Sequence, residues 1–481
     1  MNSSFKTVSA VITILSFLIV VSSCKKEDIL TDSSAKLDFS MDTVMFDTVF
    51  SSIGSTTKLL TIYNNNSRPV NISSARLALG SASPYRLNFD GIPGKSFSDI
   101  EIGGKDSLFM FIEVIIDPNN ITTPFLVTDS IVFETNGNIQ DVDLVAFGQN
   151  ANFIVADTYV EGLPPYSIIN CNTTWTNNLP YVIYGYAVVD SACKLTVDAG
   201  AQIYLHNNSG LWVYAGGEID INGTKADPVE FQGTRLEPYY QDIPGQWDRI
   251  WINEGSVNNE IDYAIIRNGF IGIQAESLLD TSLQKQLTIR NTIIQNMSGF
   301  GIFSRYYNVT AKNTIVARCG FYNLAITRGG GYEFRHCTFA NYWNQSQRTT
   351  PAVYLNDYGV DEFENVVNFP LYKADFFNCI IYGNNDEELE FDFEFGTSSQ
   401  QLKNVLIKSS LNTSPANYVN VLKNQDPNFF DRNEDDYHIN SNSPSRNAGD
   451  ASLVTPDIEN DLDGNPRLID TAPDHGAYEY L

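Results

Sequence analysis

The feature that most constrains this chain is a phrase that repeats. Arg290-Asn291-Thr292-Ile293-Ile294 is followed by Lys312-Asn313-Thr314-Ile315-Val316 and by Arg335-His336-Cys337-Thr338-Phe339. Later copies are Phe377-Asn378-Cys379-Ile380-Ile381 and Lys403-Asn404-Val405-Leu406-Ile407, and a weaker one precedes them at Asp262-Tyr263-Ala264-Ile265-Ile266. The third positions stand 28, 22, 23, 42 and 26 residues apart. Each phrase is short, β-branched and bounded by Asn or Gly, which reads as strand. Strand-like repeats of roughly 20–30 residues mark a solenoid. One coil buries too little apolar side chain to offset the entropy of ordering it, so coils are stable only when stacked. The expected architecture is a parallel β-helix. Asn291, Asn313, Asn378 and Asn404 would then turn one corner of successive coils, and Asn268, Asn296 and Asn341 a second. Asn tolerates left-handed backbone, and stacked amides can bond along a column.

At 481 residues the chain is too long for one ordinary domain. Its 43% hydrophobic content allows a sizeable core. A net charge of −27 argues against nucleic acid as a partner, because phosphate binding needs a basic surface. The six cysteines form no CxxC pair, which removes zinc and redox-motif readings. Cys337 and Cys379 share a repeat position and are expected as small core residues. In an oxidising compartment Cys171 and Cys193 could pair as a disulfide. The four histidines, at 206, 336, 438 and 475, have no metal-ligand spacing.

Lys6 precedes the apolar run Val8 to Val21, which closes on Ser22-Ser23-Cys24. This is the pattern of a secretory signal peptide, too short to span a membrane as a mature helix. Val21-Ser22-Ser23-Cys24 also resembles a bacterial lipobox. The resemblance implies removal of residues 1–23 and acylation of Cys24, with outer-membrane lipid as the partner of its acyl chains. Lys25-Lys26-Glu27-Asp28 resembles the export signal of Bacteroidetes surface lipoproteins. That implies a lipid-anchored protein of the outer membrane, facing the cell exterior. Residues 24–35 are expected to be a flexible tether.

From 36 to 150 alternating strands are broken by Asn64-Asn65-Asn66, Gly91-Ile92-Pro93-Gly94, Gly103-Gly104 and Asn136-Gly137, the last a hairpin signal. Strands so spaced predict an immunoglobulin-like β-sandwich. Their order resembles bacterial domains of the abnormal-spindle/hydin type, which implies a spacer or binding module. Residues 151–194, with Pro164-Pro165, Trp175 and Pro180, are expected to be a connector and cap. The β-helix is expected over 195–430. Its opening phrases, Leu195-Thr196-Val197-Asp198-Ala199-Gly200, Gly210-Leu211-Trp212-Val213 and Gly217-Glu218-Ile219-Asp220-Ile221, resemble the first coils of secreted proteins of the pectin-lyase-like fold. The expected fold class is therefore all-β: a right-handed parallel β-helix preceded by an immunoglobulin-like β-sandwich. Residues 431–481 carry Asp461-Leu462-Asp463-Gly464-Asn465-Pro466-Arg467 and Asp474-His475-Gly476-Ala477-Tyr478-Glu479. They are similar to the C-terminal segment of choice-of-anchor Q proteins, and are expected to cap the open end of the solenoid.

Two chemistries compete. A lyase or glycoside hydrolase needs converging carboxylates. The best strip is Glu388, Glu390, Asp392 and Glu394, which alternate with Leu389, Phe391, Phe393 and Phe395 and so share one face. Asp457, Glu459, Asp461, Asp463 and Asn465 alternate similarly and could hold calcium, although the bidentate Glu of an EF-hand loop is missing. A binding protein would use Arg290, Lys312 and Arg335, which share one repeat position. Stacked like charges invite an anionic partner. Arg305, Arg318 and Arg328 lie in the same acid-poor stretch, and Tyr306, Tyr307, Tyr342 and Trp343 could stack on sugar rings. The favoured expectation is a monomeric surface protein that binds a polysaccharide or another surface protein without catalysis and without a cofactor. The alternative is a polysaccharide lyase or glycoside hydrolase.

Overall fold

The computed structural model describes residues 28–277, 286–396 and 398–481. Cys24, its predicted acylation and the lipobox lie outside them. The chain forms two compact units that meet between Gln149 and Asn150.

The first unit is a sandwich of two five-stranded sheets. One sheet pairs Lys58–Asn64 with Asp106–Val114, and Asp106–Val114 with Tyr85–Phe89. The other carries Thr43–Phe50, Asn138–Gln149, Phe125–Thr135, Val70–Leu77 and Ser96–Ile102 in that order. Alternate residues face inward, so Leu60, Ile62, Met110 and Ile112 meet Val44, Phe46, Ile131 and Phe133 in one core. Asn136 and Gly137 both take positive φ between paired strands, the geometry of a two-residue hairpin. The expected tether is partly built into this unit. Leu30 N–H bonds the Pro69 carbonyl at 2.7 Å, and Ala35 is buried.

The second unit is a parallel β-helix. Its strands run from Asn152–Val155 to Tyr418–Lys423, each pairing in parallel with the equivalent strand one coil away. Most coils have three strands, so the stack presents three sheets. The first sheet contains Tyr181–Tyr184, Ala264–Arg267, Ile293–Met297 and Ile315–Cys319. The second contains Gly210–Val213, Trp247–Ile252 and Val353–Asn356. The third contains Lys194–Asp198, Asn259–Asp262 and Leu371–Phe377. The solenoid begins at Asn152, not at 195. Its first strands are only three or four residues long and are split by Pro164-Pro165, which hides the period.

The repeat phrases lie in single file. Amides of Ile315, Thr338, Ile380 and Leu406 bond the carbonyls of Thr292, Thr314, Cys337 and Cys379, each at 3.0 Å. All four third-position side chains are buried. The residue before each adopts left-handed backbone: Tyr263, Asn291, Asn313, His336, Asn378 and Asn404 have φ between 47° and 52°. Asn313 Nδ2 donates to Asn291 Oδ1 at 3.0 Å, and Asn296 Nδ2 to Asn268 Oδ1 at 2.8 Å, so both corners carry amide pairs. Cys171 and Cys193 are joined in a disulfide that ties the first coil to the second.

The C-terminal segment does not close the end of the stack. It lies along the flank, where Tyr437, Ile439, Leu462 and Ala477 pack on the outward residues Ile315, Ala317, Ile380, Tyr382 and Leu406 of the first sheet. These outer positions are apolar and would otherwise face water, so burial draws the segment sideways. Arg467 is fully buried there. It bonds Glu479 at 2.5 Å and Asn313 Oδ1 at 2.7 Å.

Two histidines sit in this seam. Burial depresses His475 to about pKa 4. Burial, followed by the charges of Arg467 and His475, holds His336 well below the ordinary histidine range. A depressed histidine contributes stability that is complete above its unfolded pKa of about 6.5 and is lost as pH falls through its folded value. His438 is opposite. Burial lowers it, but its bonds to Asp463 and Asp436 prevail and raise it. Thermal melting should therefore fall between pH 6.5 and pH 4. The variant His475→Gln should flatten that limb, whereas His438→Gln should lower melting without changing its slope there, because the His438 contribution is complete below pH 6.5 and is lost only as pH rises through its raised folded value. A melting temperature that is level across this range removes the buried-histidine account.

Candidate functional site

Strands of the second sheet send alternate residues outward. In Gly210–Val213, Leu211 and Val213 enter the core while Trp212 does not. Following the register from coil to coil, the outward position is held by Val188, Trp212, Trp251, Gln274, Phe303, Ala325, Tyr354 and Glu390. Trp212 and Trp251 stack with ring centroids 4.8 Å apart. Further along, Phe300 stacks on Phe303 at 4.9 Å and on Tyr322 at 5.7 Å, and Tyr322 meets Tyr354 at 5.6 Å. The outer face of this sheet thus carries the part-exposed rings of Trp251, Phe303, Tyr322 and Tyr354 along the solenoid axis, while Trp212, Gln274 and Ala325 in the same register are buried.

Polar groups flank the rings and are held in place. The Trp212 indole N–H donates to Asn253 Oδ1 at 2.6 Å, and that of Trp251 to Glu276 Oε1 at 2.7 Å. Glu276 is also paired with Arg305. Tyr186 donates to Asp248, which pairs with Arg249, and Arg249 reaches Gln274. Tyr354 and Tyr358 both donate to Asp392 Oδ2, at 2.7 and 2.6 Å. Burial first, then the bond to Asp392, raises the Tyr354 hydroxyl, so it remains a donor at neutral pH. Fixed hydroxyls, amides and carboxylates beside flat rings can bind a polyol. The rings cover its apolar faces while the polar groups take its hydroxyls.

The predicted acidic strip is not one surface. Glu388 is fully buried and forms a two-pronged pair with Arg348, at 2.6 and 2.9 Å. Asp392 is engaged by the two tyrosines. Glu390 and Glu394 are exposed. Strict alternation fails because the regular strand is only Leu389–Asp392, and Glu388 precedes it at a corner.

The predicted basic column exists in register, Arg290 beside Lys312 and Lys312 beside Arg335. Each member is neutralised nearby. Arg290 bonds Glu260 at 2.9 Å and Asp262 at 3.2 Å, Lys312 bonds Asp457 at 2.6 Å, and Arg335 pairs with Glu333. Lys312 and Arg335 also meet the C-terminal segment, at Thr455 and the Leu453 carbonyl. The column therefore docks the chain's own tail and leaves no free row of cations for an anionic polymer. Trp343 is buried with its indole on Ser346, and Tyr306, Tyr307 and Tyr342 are buried as well, so none offers an open ring. Arg305 and Arg318 are spent on Glu276 and Asp435.

Asp461 accepts from Asn465 N–H, Asn465 Nδ2 and Glu479 N–H, which makes the Asp-rich loop a self-closed turn. Among the described residues no group of three or more His, Cys, Asp or Glu is placed to hold a metal ion.

Sequence reasoning missed the aromatic row because its members fall at uneven steps in sequence. Trp212 and Trp251 each stand outward among inward aliphatic neighbours, and that alternation was the available signal.

No family model matches this chain, and no curated protein matches it. Among solved structures, pectate lyase Pel9A aligns over 69% of this chain and 88% of its own, at 12% identity and a TM-score of 0.32. The ASH/PapD-like domain of human CEP192 aligns over 27% and 92%, at 10% identity and 0.17. A family 123 glycoside hydrolase from Clostridium perfringens aligns over 23% of each chain, at 14% identity and 0.17, so this chain spans under a quarter of that enzyme. At such scores these likenesses carry no weight for activity.

The strip and the buried pair can be told apart by stability. Glu388→Ala leaves Arg348 unpaired in the interior and should cost about 3–5 kcal/mol in urea unfolding. Glu390→Ala should stay within about 0.5 kcal/mol. Equal costs would mean that the two acids share one environment.

Proposed function

We propose that this chain is a lipid-anchored surface protein whose β-helix binds a polysaccharide along the outer face of its second sheet, without catalysis. The observation that carries this reading is the aromatic row, in which Trp251, Phe303 and Tyr354 stand in one register with amides and carboxylates fixed beside them. A polymer lying along the axis would meet a new outward side chain at each coil, about 4.8 Å on. The part-exposed, hydrogen-bonded acids of this face, Asp248 and Asp392, are suited to orienting hydroxyls. Anchoring rests on the sequence alone, on Lys6, the run from Val8 to Val21 and Cys24.

The mature protein should be retained in gels that contain a polysaccharide chosen from a plant and bacterial panel. Trp251→Ala and Tyr354→Ala should each weaken that retention by about tenfold or more, as truncated aromatic anchors do. Retention equal to wild type in both variants removes the face from consideration. Release of unsaturated or reducing-end products from any panel member would favour the lyase or hydrolase alternative. Cys24→Ser should shift the protein from the membrane to the soluble fraction, and unchanged partition refutes the anchor.

A further inference from the structure

The outward file of the second sheet does not carry an open ring on every coil. From Trp251 the register runs to Gln274, Phe303, Ala325 and Tyr354. Trp251, Phe303 and Tyr354 are part-exposed, while Gln274 and Ala325 are buried. The rings of this file therefore recur at every second coil, about 9.6 Å apart along the axis, which is twice the strand spacing of about 4.8 Å. Tyr322 shares the coil of Ala325, but it stands in register with Phe300 in a neighbouring file. The two skipped positions stay low in different ways. Ala325 is small, and Gln274 accepts from the Arg249 guanidinium.

A two-coil interval is close to the length of two linked pyranoses. In a β-1,4-linked chain of glucose-type sugars, each residue is turned over relative to the one before. The same apolar face then points the same way at every second residue, which is the interval these rings keep. An α-1,4-linked chain of the same sugars coils, so its faces leave a straight row.

Charge narrows the class further. Arg249 pairs with Asp248 at 2.9 Å, and Arg305 with Glu276. Arg305 also lies over the Phe303 ring, 5.2 Å from its centroid. Both arginines that flank the rings are thus neutralised by acids of the same face, and meeting the carboxylate of an acidic glycan would mean breaking those pairs. Uncharged hydroxyls need no such exchange.

We propose that this face takes a straight, uncharged β-1,4-linked glycan, with one ring of the file to every second sugar. The inference rests on the glycan-binding face proposed above and names the class of polymer that lies on it.

The test is calorimetric titration of the mature protein with three hexamers: β-1,4-linked glucose, α-1,4-linked glucose and β-1,4-linked glucuronic acid. The first two are isomers that differ only in linkage, and the third keeps the straight chain but is charged. The β-linked glucose hexamer should bind at least about tenfold more tightly than either of the others. Phe303→Ala, which removes the middle ring, should weaken its binding by about tenfold or more. Equal affinity for the two glucose hexamers, acid-hexamer binding as tight as that of β-linked glucose, or unchanged affinity in Phe303→Ala each overturns the proposal. Binding of none of the hexamers overturns it as well. The face itself is judged separately, by whether Trp251→Ala loses retention on the polysaccharide panel.

Discussion

Everything in the second unit depends on backbone hydrogen bonds that one coil cannot make for itself. A coil of this helix has no internal ladder, and its N–H and C=O groups are met by the coils on either side. That requires every coil to turn its corners at the same place. The turn before each third position is left-handed, which costs most residues about 1–2 kcal/mol and Asn less. The Asn column is the sequence trace of that cost. Tyr263 and His336 stand in the same column with the same φ. The corner is therefore imposed by the stack, and Asn only makes it cheaper.

Strict register has an electrostatic consequence. Any residue type repeated at one position becomes a file of like side chains about 4.8 Å apart. Arg290, Lys312 and Arg335 form such a file, and it is tolerable because acids are brought to it. Glu260 and Asp262 come from the preceding coil, Glu333 from the same strand, and Asp457 from the C-terminal segment. Lys403 with Asp450 and Arg318 with Asp435 tie the same segment at further points. The tail is thus held by charge at its edges and by apolar contact in its middle. This accounts for the density of acids in its motif.

The solenoid was legible because its signal is translational. A repeat in text becomes a neighbour in space, and the third positions fell into file as the phrases predict. The sandwich was legible from its turn residues, Asn136-Gly137 most clearly. The first coils were not, because strands of three and four residues carry too few positions to reveal a period. Nor was the direction of charge. A repeated Arg says that a column forms, but its partners come from Glu260, thirty residues earlier, and Asp457, far later, and no local pattern joins them. The outer aromatic row was hidden for a related reason. Corner loops of unequal length put Trp212, Trp251 and Tyr354 at irregular sequence steps, although they are strictly in register in space.

Those unequal loops also show where the stack accepts added chain. Changing a residue inside the stack disturbs the coils above and below, since the Thr314 carbonyl accepts from the Thr338 amide of one neighbouring coil while the next residue, Ile315, donates to the Thr292 carbonyl of the other. Chain added at a corner disturbs neither, because the register resumes on the far side, as it does when Thr338 pairs with Ile380 across the 42-residue step. Insertions cost little at corners and are disruptive elsewhere. Among the described residues, Val353–Asn356, the strand that presents Tyr354, has chain added at both of its corners, the insertion 342–352 before it and the hairpin of Tyr358–Val360 with Val366–Asn368 after it, and the stack resumes its register beyond both.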